Sequence, residues 1–332
     1  MFTLRRVIPP FSVVSSRKDA ARRRHEGSYM TPLLTLLGTG LILFALRDIF
    51  NTLFHPSGKG MLSRALPRPI WRGARQIGAQ HSLVRELCGP VTLLAVIASW
   101  TALLAVGWAL ILGPYLPEGF VFAPGLEPSS DSSFVDSFYL SLVTLTTLGF
   151  GDITPTSVLL KVLVPLEAVI GFGLLSASIS WVISLYPAFA RHRSLAHEIS
   201  LVREAEFRTG IGVRQMDALA AELMLSGLTS QLVAVQSDLI HFPISYYFRS
   251  SKERFELSAA MPCLLRLAEE ASNADCAPGV RMRASMLGIA IDDFAATLGS
   301  RFLDLPSAPT EKILKAYAYD NLHTPSELAG LT

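Results

Sequence analysis

Apolar residues in this chain fall into long blocks separated by basic or Pro/Gly-rich stretches. The first block runs from Thr31 to about Phe54, through Leu33, Leu34, Leu36, Leu37 and the run Leu41-Ile42-Leu43-Phe44, with Arg47 and Asp48 near its end. The second, from about Pro90 to Leu112, has no charged residue, and Gly113-Pro114 ends it. The third runs from about Ser157 to Tyr186, and Pro187, Arg191 and Arg193 are expected to close it. At a rise of about 1.5 Å per residue, each block is long enough to cross a hydrocarbon core of about 30 Å. Long charged side chains near a helix end reach back to the interface, so Arg47 is compatible with a span.

Two further patterns complete the picture. The segment from Phe134 to Thr146 is apolar but too short to span, which predicts a re-entrant helix with Asp131, Ser132 or Ser133 as its cap. Beyond residue 190 the apolar positions follow helical spacing, as at Met216, Leu219 and Leu223 or Leu264 and Leu267. Pro243, Pro278 and Pro306 divide this region into five or six expected helices. The expected fold is an all-α membrane protein. Its parts are a polar segment 1–29, a first transmembrane helix 30–54, a connector 55–89, a membrane unit 90–187 and an all-α domain 190–332.

Composition agrees with a bilayer. Half of the residues are hydrophobic and 17% are charged, against about a quarter charged in soluble domains. A net charge of +2 gives no argument for nucleic acid. The cysteines Cys88, Cys263 and Cys276 lack metal-ligand spacing and read as small buried hydrophobes.

The basic residues are segregated, and this bears on topology. No Lys or Arg lies between Arg85 and Lys161, and the stretch after the second block carries only acidic charge, at Glu118, Glu127, Asp131, Asp136 and Asp152. The connector carries Lys59, Arg64, Arg68, Arg72, Arg75 and Arg85, with Trp71 among them. The positive-inside rule then places the connector and the region after Arg191 in the cytoplasm and the acidic stretch outside. The first helix must run inward, which puts the basic residues 1–29 outside, against the same rule. The expectation is that translation begins at Met30 and that 1–29 is disordered or no part of the native chain. A re-entrant or interfacial first helix is the alternative.

The run Thr144-Leu145-Thr146-Thr147-Leu148-Gly149-Phe150-Gly151-Asp152 carries the chemistry. A dehydrated monovalent cation needs close oxygen ligands, which main-chain carbonyls supply if successive C=O groups face one axis. That backbone needs dihedrals open mainly to glycine, hence Gly149 and Gly151. With a short helix before it and full spans on both sides, this run resembles the potassium-channel filter pattern T-V-G-Y-G-D. The resemblance covers residues 88–187 and is to the two-helix pore unit of bacterial potassium channels. It implies an outer helix 90–113, a pore helix 134–146, a filter 147–152 and an inner helix 157–186, assembled as a homotetramer in a bacterial inner membrane. K+ would be the permeant ion, bound by Thr147, Leu148, Gly149, Phe150 and Gly151, with no cofactor.

This chain departs from the family at three positions. Phe150 replaces Tyr, Leu148 replaces Val, and Val143 stands where some relatives carry a pore-helix carboxylate. Asp152 must find another partner, for which Tyr139 is the candidate, and Thr146 and Asp152 complete the expected filter support. The filter is expected to be less tightly braced than in those relatives. Gly171 lies where related channels have a glycine hinge, and it reads equally as a hinge or as a close-packing residue. Pro165 is a candidate kink. Glu167, an ionisable residue inside a span, is expected either to face the cavity or to be buried behind the filter on a Thr or Ser.

No span carries Arg at every third position, so no voltage sensor is expected, and no Gly-rich strand-turn-helix fingerprint marks 190–332. Gly210-Ile211-Gly212 reads as a helix break. No nucleophile-base pair, H-E-x-x-H or paired Cys points to an enzyme. The alternatives are a weakly selective cation channel and a membrane-anchored sensor acting through 190–332, for which an unidentified cytoplasmic regulator is a candidate partner.

Overall fold

A computed structural model describes residues 13–54, 60–77, 82–125, 133–249 and 253–321. Its helices are α1 (Val13–Leu53), α2 (Leu62–Ala65), α3 (Pro67–Ile77), α4 (Ser82–Leu112), α5 (Ser133–Leu145), α6 (Val158–Thr209), α7 (Ala218–His241), α8 (Leu257–Ala271), α9 (Pro278–Arg301) and α10 (Thr310–Asn321). Two short strands, β1 (Phe120–Phe122) and β2 (Ile153–Pro155), pair antiparallel with Val121 opposite Thr154. The chain divides into two compact units. One comprises Met1–Arg47 with Ala98–Ser176, the other Asp48–Ile97 with Ala177–Thr332.

Four helical stretches are long and apolar enough to cross a membrane: Thr31–Leu53, Leu87–Tyr115, Val158–Thr209 and Ala218–His241. The sequence reading expects three. The fourth, α7, is apolar because one stripe of it, Leu225, Leu228, Leu232, Val235 and Leu239, fills the core of a helical bundle. A bundle core and a lipid contact draw on the same residue types, so hydropathy alone does not separate them.

In the first unit, α1 and α4 meet through glycine. A Cβ on Gly107 would lie 2.8 Å from Ile42 Cγ1 and 2.9 Å from the Gly38 carbonyl oxygen. Small residues let two apolar helices approach backbone to backbone, which is how spans associate where lipid supplies no hydrophobic drive. The same helix α4 buries Trp100, Leu104, Trp108 and Leu112 along one face. Leu112 joins Leu116, Phe120, Leu140, Ile153 and Leu160 in a small core that fixes β1, β2 and α5 around the ends of α4 and α6.

Two expected boundaries are corrected. The sequence reads 1–29 as disordered or no part of the native chain, whereas α1 begins at Val13 and is continuous through Met30. Residues 17–26 include four Arg and two Ala, which are good helix formers. Residues 1–12 lie outside the described residues, as do Asp131 and Ser132 among the expected caps. At the other end, Pro187 does not close α6. The helix continues to Thr209, because Leu185, Ala188, Leu195, Ala196 and Ile199 form one buried stripe on both sides of the proline. Gly210, with φ +68°, ends it where a left-handed residue is needed.

The second unit is a helical bundle. Leu287, Ile291, Phe294 and Leu298 of α9 pack with the α7 stripe, Leu264 and Leu267 of α8, and Ile313 and Leu314 of α10. Asp217 caps α7 by accepting from the Leu219 and Ala220 amides. Arg191 of α6 holds Asp238 of α7 through a bidentate pair at 2.8 and 2.6 Å.

The glycine contact between α1 and α4 is testable. Gly107→Leu forces the two helices apart and is expected to destabilise the protein by about 1–3 kcal/mol, the usual cost of overpacking. Thermal unfolding in detergent measures it, and an unchanged midpoint would exclude the close crossing.

Candidate functional site

The site is a loop between the C-terminal end of α5 and β2. As α5 runs out at Leu145, its last carbonyls take up the following amides. Thr146 N donates to Leu142 O at 3.0 Å, and Thr147 N to Thr144 O at 2.9 Å. Leu148 N reaches Val143 O at 3.0 Å, and Gly149 N reaches the same oxygen at 3.4 Å. The first amides of the loop are therefore spent on the helix end. Beyond it, Asp152 O accepts from Ala123 N at 2.8 Å, which ties the loop to the end of β1.

Between these anchors the backbone alternates. Thr147, Gly149 and Gly151 have φ of +58°, +56° and +74°, whereas Leu148 and Phe150 do not take positive φ. In an ordinary extended strand, successive carbonyls point to opposite sides. Alternation of left-handed with right-handed helical dihedrals is the backbone pattern that can bring successive carbonyls to one side, and the φ signs here are those such a pattern needs. A Cβ on Gly149 or Gly151 would meet nothing within 4 Å, so conformation and not space calls for glycine here. Thr147 takes the same region although it is β-branched, a placement worth roughly 1–3 kcal/mol of strain. Nothing in the sequence marks Thr147 as strained, since threonine is a poor choice for that region.

No backbone N–H among the described residues donates to the carbonyls of Thr147 through Gly151. The loop therefore presents a row of main-chain oxygens free to take another ligand. Residues 146 to 150 are exposed on the single chain, with Leu148 at 61% and Phe150 at 64%.

Support for the loop comes from α5 and α6. Tyr139 donates its hydroxyl to Asp152 Oδ2 at 2.5 Å, and Asp152 Oδ1 accepts from the Ile153 amide at 3.1 Å. Glu167 is fully buried, and Ser141 donates a hydrogen bond to its Oε1. A carboxyl inside a span is costly without such a donor. Ser141, the residue on α5 that meets it, carries no distinguishing sequence signal beyond its position in the helix that leads to the loop. Thr146 bonds back to Leu142 O at 2.7 Å, the usual Thr contact to the residue four earlier.

Gly171 lies against the backbone of Leu145, and any Cβ there would collide with the Leu145 carbonyl and Cα. The contact is between the end of α5 and the middle of α6, directly beneath the loop. Gly173 has nothing within 4 Å of its would-be Cβ. Pro165 is exposed and lies within α6, which runs through it without a break. Among the described residues no group of His, Cys, Asp and Glu is placed to hold a metal ion.

Comparison with known proteins points the same way. Residues 92–186 match the family model for ion channels, which supports an ion-channel family for this chain. Among curated proteins, it is 29% identical to "Uncharacterized membrane protein YdjJ" of Bacillus subtilis over 231 residues, 69% of this chain and 65% of the relative. It is 41% identical to "Two-pore potassium channel 3" of Arabidopsis thaliana over 59 residues, 17% of this chain and 14% of the relative. It is 26% identical to "Voltage-gated delayed rectifier potassium channel KCNH5" of Homo sapiens over 165 residues, 46% of this chain and 16% of the relative. The chain thus spans less than two thirds of the length of each of these relatives. No solved structure matches it.

The two glycines of α6 separate close packing from hinging. Gly173→Ala is expected to be neutral or to stabilise by up to about 1 kcal/mol, the helix-propensity gain. Gly171→Ala must push α5 away and is expected to lose about 1–3 kcal/mol. Thermal unfolding of both variants ranks them, and equal midpoints would contradict the close approach.

Proposed function

We propose that the chain is one subunit of a potassium-selective channel in which four copies surround one axis and Thr147, Leu148, Gly149, Phe150 and Gly151 turn their carbonyls toward it. The observation that carries this reading is the alternating φ at Thr147, Gly149 and Gly151, with no backbone donor on the intervening oxygens. Such a row replaces the hydration shell of a monovalent cation. Irregular backbone at membrane depth is tolerated only where it lines water or is buried in protein. One chain carries one such loop, so a closed ring needs several chains, and cyclic symmetry is the usual solution. The exposed apolar stripe of α6, with Val162, Leu166, Val169, Phe172 and Leu175, supports covering by lipid and by neighbouring subunits.

In this reading α1 from residue 30, α4 and α6 up to about residue 186 cross the membrane, and α5 is the pore helix. The loop opens outward, and the connector and the bundle beginning near residue 190, α7 included, lie in the cytoplasm. Tyr139 and Asp152 brace the filter, and Glu167 with Ser141 fixes the pore helix to the inner helix. Gly171 is a packing residue whose close contact transmits movement of α6 to the filter. The printed names of the plant and human relatives, both potassium channels, support K+ as the ion.

Purified full-length protein reconstituted in vesicles is expected to pass K+ well ahead of Na+. Gly151→Ala costs about 1–2 kcal/mol in each chain, because alanine resists the left-handed region, and is expected to abolish the K+ preference. Equal K+ and Na+ fluxes in the unmodified protein would establish the weakly selective channel instead. An absence of flux would remove the channel reading.

A further inference from the structure

The second unit contains a cavity of about 450 Å3 whose lining includes Arg64 of α2, Arg68 of α3 and Arg301 of α9. Ser63, Ser300 and Tyr247 add hydroxyls to the same lining. Its size is within the usual range for a small-ligand pocket. Three arginines from three separate helices line one space. Among the described residues Arg68 pairs with the Asp304 carboxylate at 3.4 Å and donates from the same nitrogen to the Arg301 carbonyl at 3.3 Å, and both side chains of the Arg68–Asp304 pair are well exposed, at 46% and 76%. A pair so long and so wet neutralises little. Arg301 uses one nitrogen on the Ile240 carbonyl at 3.2 Å, which leaves other N–H groups of its five-donor fork. Burial pushes the Tyr247 hydroxyl up to about 12, so at neutral pH it remains a hydrogen-bond donor.

The place of this cavity in the unit specifies its ligand. α2 is tied to the end of the first span, because the Asp48 side chain accepts from the Met61 amide and from the Leu62 amide at 3.2 Å. Phe248, next to Tyr247 in sequence, lies against Gly89 at the start of the second span. The arginines are thus held beside the ends of two helices long and apolar enough to span, and in the proposed topology, on which this inference rests, those ends lie at the level of the lipid phosphates. Arginine forks match phosphate oxygens in pairs. We propose that this cavity binds the phosphate headgroup of an anionic phospholipid with a terminal phosphomonoester, of the phosphatidate type. The shared chemistry is a phosphate oxyanion on three guanidinium groups, and inorganic phosphate is the alternative source.

The test is lipid retention by the intact full-length protein, measured by native mass spectrometry. It does not depend on ion flux, so its failure is distinct from failure of the channel reading. Dioleoyl phosphatidate is expected to be retained over dioleoyl phosphatidylcholine. Arg64→Gln, at an exposed side chain that the fold does not need, is expected to weaken retention about five-fold, the effect of one basic group at an anionic surface. Arg301→Gln is expected to weaken it at least as much. Arg281→Gln removes the same charge about 30 Å away along α9 and is expected to change nothing. Equal retention of the two lipids, or an equal loss in Arg281→Gln, would overturn the proposal. Displacement of phosphatidate by millimolar inorganic phosphate, with binding of that phosphate to lipid-free protein, would overturn the lipid source.

Discussion

The architecture of the first unit follows from leaving five successive carbonyls without backbone donors. A peptide group in a low-dielectric region normally finds a partner, and an unpaired one is expensive. Here the preceding amides fold back onto the end of α5, onto Thr144 O and Val143 O, while φ changes sign from Thr147 to Gly151. The strained Thr147 and the two glycines hold only if both ends of the loop are fixed. The α5 helix end fixes one, and Asp152, paired with Ala123 N and Tyr139, fixes the other. The carbonyl row makes physical sense when a cation supplies what N–H groups do not.

The supporting contacts show how the chain meets that demand without the pore-helix carboxylate of some channel relatives. Val143 occupies that place and contributes its backbone, as the double acceptor for Leu148 and Gly149. Its side chain is buried. The carboxylates lie elsewhere. Asp152 meets a tyrosine hydroxyl, and Glu167 meets a serine from the neighbouring helix. Each couples the loop or its helix to a second element through a hydrogen bond whose acceptor is a carboxyl oxygen.

Much of this was legible in the amino-acid sequence because the constraints were local. A short apolar segment before a glycine-spaced loop predicts α5 and the need for open dihedrals at Gly149 and Gly151. The Tyr139–Asp152 contact could be named because an acid at the loop end needs a donor and Tyr139 lies on the helix leading to it. Features that depend on tertiary packing were hidden. The buried stripe across Pro187 overrides the local tendency of proline to end a helix. The apolar composition of α7 reflects a bundle core, which a hydropathy window does not separate from a span. The pairing of β1 with β2 involves three residues on each side. The left-handed Thr147 and the Ser141 partner of Glu167 leave no trace in residue type. Gly171 reads in the sequence equally as hinge or contact, and the backbone of Leu145 packed against it is a tertiary feature that residue type does not reveal.

The most direct test is to see the ions. Crystals of the full-length assembly grown with thallium, a K+ mimic with strong anomalous scattering, would give a map of monovalent sites. The account predicts a file of anomalous peaks on a shared axis between the carbonyls of Thr147 and Gly151, with four loops around it. Peaks elsewhere, or Gly149 and Gly151 carbonyls turned away from any common axis, would contradict it.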